Sequence, residues 1–250
     1  FRAVDAKTGP DPYKVMAATI FGVDVRDVDK VQRNVGKAAE LGCGYGMGGK
    51  RGRDGSPSKF EVTCAKQGID LIAAGIDPEA VVEAWRTLHA PIVELWKACE
   101  RGFVAACEGA AQTWAGTWYY TPVGASDVAC VLPSGRPIVY REARATRGLR
   151  GYDMSYQGRK AWREHVYGGL FVENAVQGLC RDLLADAIVR CEADGLAPVL
   201  HVHDEMVCEF DSDVATEAFA EQRRIMSDAP SWADGLPVKL DGFVSRRYRK

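Results

Sequence analysis

Apolar positions along the chain follow first a helical and later a strand spacing. An apolar run follows Asp11-Pro12, a capping residue with proline at the first helical position, and ends at Phe21-Gly22, which predicts a short helix. Val25, Val28, Val31, Val35, Ala38, Ala39 and Leu41 keep a mostly three-and-four spacing, which predicts a second helix over 24–42. Residues 49–58, GKRGRDGSPS, read as a basic, glycine-rich loop. Asp77-Pro78 repeats the cap signature. Helical spacing then runs through Val81, Val82, Trp85 and Leu88 and, past a kink at Pro91, through Val93, Trp96 and Phe103.

From Thr113 to Tyr140 aromatic and β-branched residues take over, and VLPSGRPIVY, within 129–140, predicts a hairpin around Pro133-Ser134-Gly135. Arg141 to Arg163 reads as a basic, irregular connection. Residues 170–194 predict a long helix, with Leu170, Val172, Val176, Leu179, Leu183, Leu184 and Ile188 on one side and Gly195 at its end. VLHVH and MVCEF are two short strands joined at Asp204-Glu205. A helix over 212–226 and a strand from Pro237 to Asp241 close the chain. Helices first, with strands mixed in later, predict an α+β fold.

At 250 residues, the composition is that of a soluble globular chain with one large domain or two modest ones. There is neither a charged-then-apolar leader nor the run of about 18 apolar residues that a membrane span needs. The eight cysteines are scattered without a C-x-x-C pair and read as reduced cytosolic thiols. A net charge of −2 does not announce a nucleic-acid binder. Its distribution is less neutral: Lys50, Arg51 and Arg53 cluster, as do Arg141, Arg144, Arg147 and Arg150, then Arg159, Lys160 and Arg163, and Arg246 to Lys250. Such patches suit a phosphate backbone.

Gly44-Tyr-Gly46-Met-Gly48-Gly49 satisfies G-x-G-x-x-G, and Gly44 to Lys50 fits the start of a phosphate-binding loop. Both readings fail on context. The glycines end a helix, where the dipole repels phosphate, and Arg51 stands where Ser or Thr must hold magnesium. Arg33, Lys37, Leu41 and Tyr45, four residues apart, form one slowly winding helical stripe. The intervening glycines imply something packed close to the backbone. In the second half, His201-Val-His203-Asp204-Glu205 sits between two apolar strands. Read alone it fits a polar hairpin turn, or a pair of imidazoles for zinc in a metal-dependent hydrolase.

Arg33, Lys37, Tyr45 and Gly46 match the fingers-helix motif R-x-x-x-K-x-x-x-[aromatic]-x-x-x-Y-G, and His203-Asp204-Glu205 matches the palm motif, of family A DNA polymerases. Gln177 falls where that family places a glutamine facing the primer-template. TGPDPYKVMAATIFG, LPSGRPIVY and YGG share the look of phage-type members, so the resemblance covers nearly the whole chain. It implies a right-hand architecture, with helical fingers over 1–150 and the C-terminal part of an antiparallel-sheet palm, including the hairpin, over 151–250. It implies nucleotidyl transfer from a dNTP to a primer 3′-hydroxyl, in a bacterial or phage-infected cytoplasm, with primer-template DNA and dNTPs as partners.

The resemblance also implies roles. Asp204 ligates catalytic magnesium, and Glu205 supports the metal site or primer end. Arg33 and Lys37 hold the triphosphate, with Lys37 as a proton donor to pyrophosphate. Leu41 and Tyr45 border the nucleotide, and Gly46, Gln177 and His203 lie near DNA. Leu41 departs from the family's aromatic residue, which implies altered discrimination at the sugar. The D-Y-S-x-x-E-L-R-like strand that carries the second metal-binding aspartate is not found in its place, and Tyr152-Asp153-Met154-Ser155 is out of order for it. A chain opening on Phe1 is therefore expected to be a fragment that lacks part of the two-metal site and does not polymerise alone. The alternatives are a non-catalytic DNA-binding module and, behind it, a metal-dependent hydrolase using His201 and His203.

Overall fold

A computed structural model describes residues 9–149, 151–159 and 162–248. They fall into two compact units. The first runs through Cys130 and takes up again over Val139–Glu173; the second comprises Val131–Ile138 and the chain from Asn174 onward.

In the first unit, α1 (Pro12–Phe21) begins at Asp11, whose carboxylate accepts from the Tyr13 amide, and ends at Gly22 with φ 64°. The helix expected over 24–42 is split. A 3₁₀ turn covers Val25–Asp27, and α2 (Lys30–Cys43) starts afresh at Asp29, whose capping box with Gln32 satisfies both ends of the first turn. Asp24 and Asp29 each capture an amide of their own turn, and this local bonding outcompetes a continuous helix. A capping box between Ser58 and Glu61 starts a helix that the spacing did not reveal, α3 (Lys59–Lys66).

The helices α4 (Pro78–Leu88) and α5 (Ala90–Cys107) are separated by His89, which leaves helical geometry. No kink forms at Pro91. It occupies the first turn of α5, where a missing N–H is tolerated. Then come β1 (Thr113–Ala115), β2 (Trp118–Val123), β3 (Asp127–Val131) and β4 (Pro137–Tyr140), paired in that order.

Residues 141–163 are not the irregular connection expected. They hold β5 (Arg144–Gly148) and β6 (Gly151–Gln157), which build a three-stranded antiparallel sheet with β7 (Arg163–Val166). The alternation was hidden because the sheet buries little: Ala145, Met154 and Val166, opposite one another in register, carry its apolar face. The helix α6 (Gly168–Ala193) starts in this unit. Phe171 joins Phe103, Tyr120 and Tyr140 in an aromatic core, with centroids 4.8, 5.7 and 5.4 Å from its ring.

The second unit contains the rest of α6, the tip of the β3–β4 hairpin, the ribbon β8 (Pro198–Val202)–β9 (Glu205–Cys208) and α7 (Ala215–Ser227). Arg136 anchors the hairpin tip on α6 through Asp182 and the Gly178 carbonyl. Cys191, Leu196 and Ile225 form a small core, packed by Met206, Phe210, Ala218 and Met226. The strands join at His203-Asp204, one residue earlier than expected. The strand expected at Pro237–Asp241 is irregular: Pro237 has no N–H for a ladder, and only Val238 and Leu240 alternate there. Among the described residues no helix is long and apolar enough to cross a membrane.

Candidate nucleotide and nucleic-acid interface

On the first unit, α2 presents Arg33, Lys37 and Leu41 at successive turns, while Tyr45 lies in the turn after the helix end. The two cations share a ring. The Arg33 guanidinium stands 5.1 Å and the Lys37 ammonium 5.9 Å from the centroid of Tyr13. Arg33 Nε also donates to Asp11 Oδ2 at 2.7 Å. Partial burial pulls the Asp11 carboxyl upward, but hydrogen bonds from Arg33 and the Tyr13 amide outweigh it and leave the group below its usual value. Asp11 therefore stays ionised as both helix cap and partner of Arg33. Leu41 is 55% exposed at the far end of the stripe.

The C-terminal end of α2 is held from behind. Glu40 accepts from Trp85 Nε1 at 3.3 Å and meets His89 Nε2 at 2.9 Å, and Trp96 Nε1 donates to the Gly44 carbonyl at 3.2 Å. The glycines here are a packing device. Gly46 has φ 81°, and a Cβ on it would come within 2.9 Å of the Tyr167 ring. A Cβ on Gly169, at the start of α6, would come within 2.8 Å of the Gly46 nitrogen. Two backbones thus meet where a phosphate loop would need open amides.

On the second unit the β8–β9 turn carries the other predicted residues. His203 adopts φ 53°, an uncommon conformation for a non-glycine residue that tightens the turn and leaves Asp204 exposed at its tip. Glu205 is engaged elsewhere, accepting from the Tyr248 hydroxyl at 2.9 Å. That bond is the main cause that raises the Tyr248 pKa. Gln222 Nε2 braces β9 from α7 by donating to the Met206 carbonyl at 3.2 Å. Gln177 is exposed on α6.

Arg33 and Lys37 are thus brought together on one unit, and His203, Asp204 and Glu205 on the other. Sequence reasoning missed Asp11, Tyr13 and Glu40. In the sequence Asp11 is a helix cap, and no local signal points to its bond with Arg33, 22 positions on. Among the described residues no three His, Cys, Asp or Glu side chains gather as a metal site. Asp204 offers a single free-standing carboxylate.

No family model matches the chain. It is 34% identical over 248 residues to a DNA polymerase of Bacillus phage SP02, a match covering 95% of this chain and 36% of that protein. Among solved structures, the polymerase domain of Pol1 from M. smegmatis, in complex with DNA primer-template and dNTP, aligns over 90% of this chain and 32% of its own, at TM-score 0.47 and 15% identity. The chain therefore spans about a third of the polymerase that it matches in sequence. Over nearly its whole length the chain is similar in sequence to a phage DNA polymerase.

Proposed function

We propose that this chain is part of a template-directed DNA polymerase and supplies its nucleotide-gripping helix and one metal-binding turn. The observation that carries the reading is the relationship to a phage DNA polymerase along 95% of the chain. The geometry of α2 supports it: two cations one turn apart, partly exposed and pre-oriented over one ring, suit adjacent phosphates of a dNTP. Arg33 and Lys37 bind the triphosphate, and Lys37 is placed to give a proton to departing pyrophosphate. Tyr45 and Leu41 border the incoming nucleotide, and Gly46, Gln177 and His203 lie along primer-template DNA.

Asp204 is the residue that would hold catalytic magnesium, with Glu205 beside it. Bound magnesium supplies charge stabilisation to the phosphoryl group and an activated primer hydroxyl. Because the strand that carries the second metal-binding aspartate in family A polymerases has no match in this sequence, the chain alone binds DNA and nucleotide without extending a primer. Fingers-and-palm architecture and the two-metal mechanism belong to this proposal.

The test is primer extension with magnesium and dNTPs, run with the chain alone and within a full-length polymerase containing it. Extension is expected only in the second case, abolished by Asp204→Asn and weakened chiefly in dNTP affinity by Arg33→Gln. Robust extension by the chain alone refutes the division of labour. A full-length enzyme indifferent to both substitutions refutes the reading.

A further inference from the structure

The three-stranded sheet of the first unit ends in a projection to which the proposed function gives no role. Beyond Ala145, Met154 and Val166, the β5–β6 ribbon continues without cover: Thr146, Arg147, Gly148, Leu149, Gly151, Tyr152 and Asp153 are all exposed. Leu149, in the turn at its end, is fully exposed, at 107%. The Tyr152 hydroxyl ties the ribbon to Glu108 on the turn after α5, at 3.2 Å. A two-stranded ribbon uncovered in water is marginal by itself, so a retained one asks for a ligand.

Its chemistry says which ligand. Arg144 and Arg147 are three residues apart, so they leave opposite faces of the ribbon, displaced by roughly 10 Å along the strand. Behind the tip, Gly148 pairs with Gly151, which leaves the waist bare of side chains. The neighbouring acids are largely occupied: Glu142 lies 4.0 Å from Arg144 and from Arg163, Asp153 meets His165 at 2.9 Å, and Glu164 accepts from Tyr156. Among the described residues Arg147 has no ion-pair partner, and Arg141, also exposed, adds a third cation at the base. A protein partner laid along the ribbon would call for an apolar row on one face. Here each face carries arginine, and Leu149 is the exposed aliphatic side chain among the ribbon's described residues.

We propose that β5–β6 is a DNA-binding arm that enters a groove tip first. Arg144 and Arg147 contact phosphates on its two walls, and Leu149 bears on the bases between them. The inference rests on the proposed function for the identity of the ligand, but uses residues with no part in nucleotide or metal binding.

The experiment uses the 250-residue chain and a fluorescein-labelled primer-template duplex, with Kd read by anisotropy across a salt series. Each phosphate contact adds about 0.9 to the slope of log affinity against log salt. Arg144→Gln/Arg147→Gln should therefore lower the slope by about 1.8, a loss of roughly 60-fold near 0.1 M salt if affinities converge near 1 M. Arg144→Lys/Arg147→Lys should restore most of the slope, which separates contact loss from misfolding. Arg26→Gln, an exposed cation paired with Asp24, should leave it unchanged. Leu149→Ser should weaken binding at an unaltered slope.

If the wild-type chain binds DNA and the double Gln variant keeps its slope and affinity, the arm is overturned while the proposed function stands. The same holds if Arg26→Gln costs as much slope as either arm substitution. An unchanged affinity in Leu149→Ser overturns the tip contact. A wild-type chain with no affinity for duplex DNA overturns both readings.

Discussion

Replacing Gly36 by alanine pits two effects of known size against each other. Gly36 sits in the middle of α2, where alanine is favoured over glycine by about 1 kcal/mol. An added Cβ, however, would lie 2.8 Å from the Ala17 nitrogen and 3.1 Å from the Ala17 Cβ, and closer still to the Tyr13 carbonyl. Most of these are backbone atoms of α1 and cannot rotate aside. Relief requires α1 and α2 to separate by about 1 Å, a gap that forfeits a quarter to a half of the dispersion between facing atoms. Met16, Ala17, Val35 and Ala39, all fully buried, surround the contact. Overpacking of this kind costs about 1–3 kcal/mol, and the backbone clash puts it at the upper end. The net expectation for Gly36→Ala is a destabilisation of about 1–2 kcal/mol. The same separation pulls Asp11 away from Arg33, so dNTP binding should weaken as well. Urea unfolding followed by far-UV circular dichroism reads the first effect, with Gly48→Ala as control because nothing stands within 4 Å of its Cβ. A Gly36→Ala protein as stable as the wild type, or more so, refutes close helix approach as the reason for glycine.

The Glu61 carboxyl is held below its usual range by hydrogen bonds from Arg51 and the Ser58 amide. A depressed folded-state pKa gives stability that is complete above the ordinary carboxylate range and lost as pH falls through the folded value. Glu61→Gln should therefore destabilise at pH 7 and lose its disadvantage as pH falls through the lowered folded-state value, which paired thermal melts across acid pH would check. His89→Ala leaves the Glu40 carboxylate with Trp85 alone, and should cost about 1–3 kcal/mol in a urea melt. An unchanged midpoint would show that this cluster does not hold the end of α2. Burial pushes the Cys43 and Cys130 thiols up to about 12 and those of Cys64, Cys107 and Cys208 up to about 11, whereas Cys180 is exposed. A disulfide reagent at pH 8 should find one fast thiol in the native chain, and several fast equivalents would contradict the packing. In a full-length polymerase, Leu41→Phe should shift the relative rates for deoxy- and dideoxynucleotides; identical rates would remove Leu41 from the sugar contact.

What the sequence revealed and what it concealed divide along the range of the interactions. Local signals were legible: Asp11-Pro12 and Asp77-Pro78 start helices, Gly22 ends one, and the turn of VLPSGRPIVY lies where its residues placed it. The α2 stripe was legible because Arg33, Lys37 and Leu41 need only helical periodicity to share a face. Elements stabilised across strands were not. β5 and β6 bury one residue in several, so their pattern resembles a polar loop until register sets Ala145, Met154 and Val166 side by side. The missed site residues follow the same rule. Asp11 lies 22 positions before Arg33 and is fully accounted for by its cap, so nothing local betrays its second bond. Glu40 reads as one more polar residue on an amphipathic helix, yet its partner His89 lies 49 positions away. In the proposed function the motif names the groups that touch a nucleotide. The groups that aim them, Asp11 at one end of α2 and Glu40 at the other, come from parts of the chain that only folding brings together. A sequence can therefore keep its motif and still lose its grip if either is exchanged.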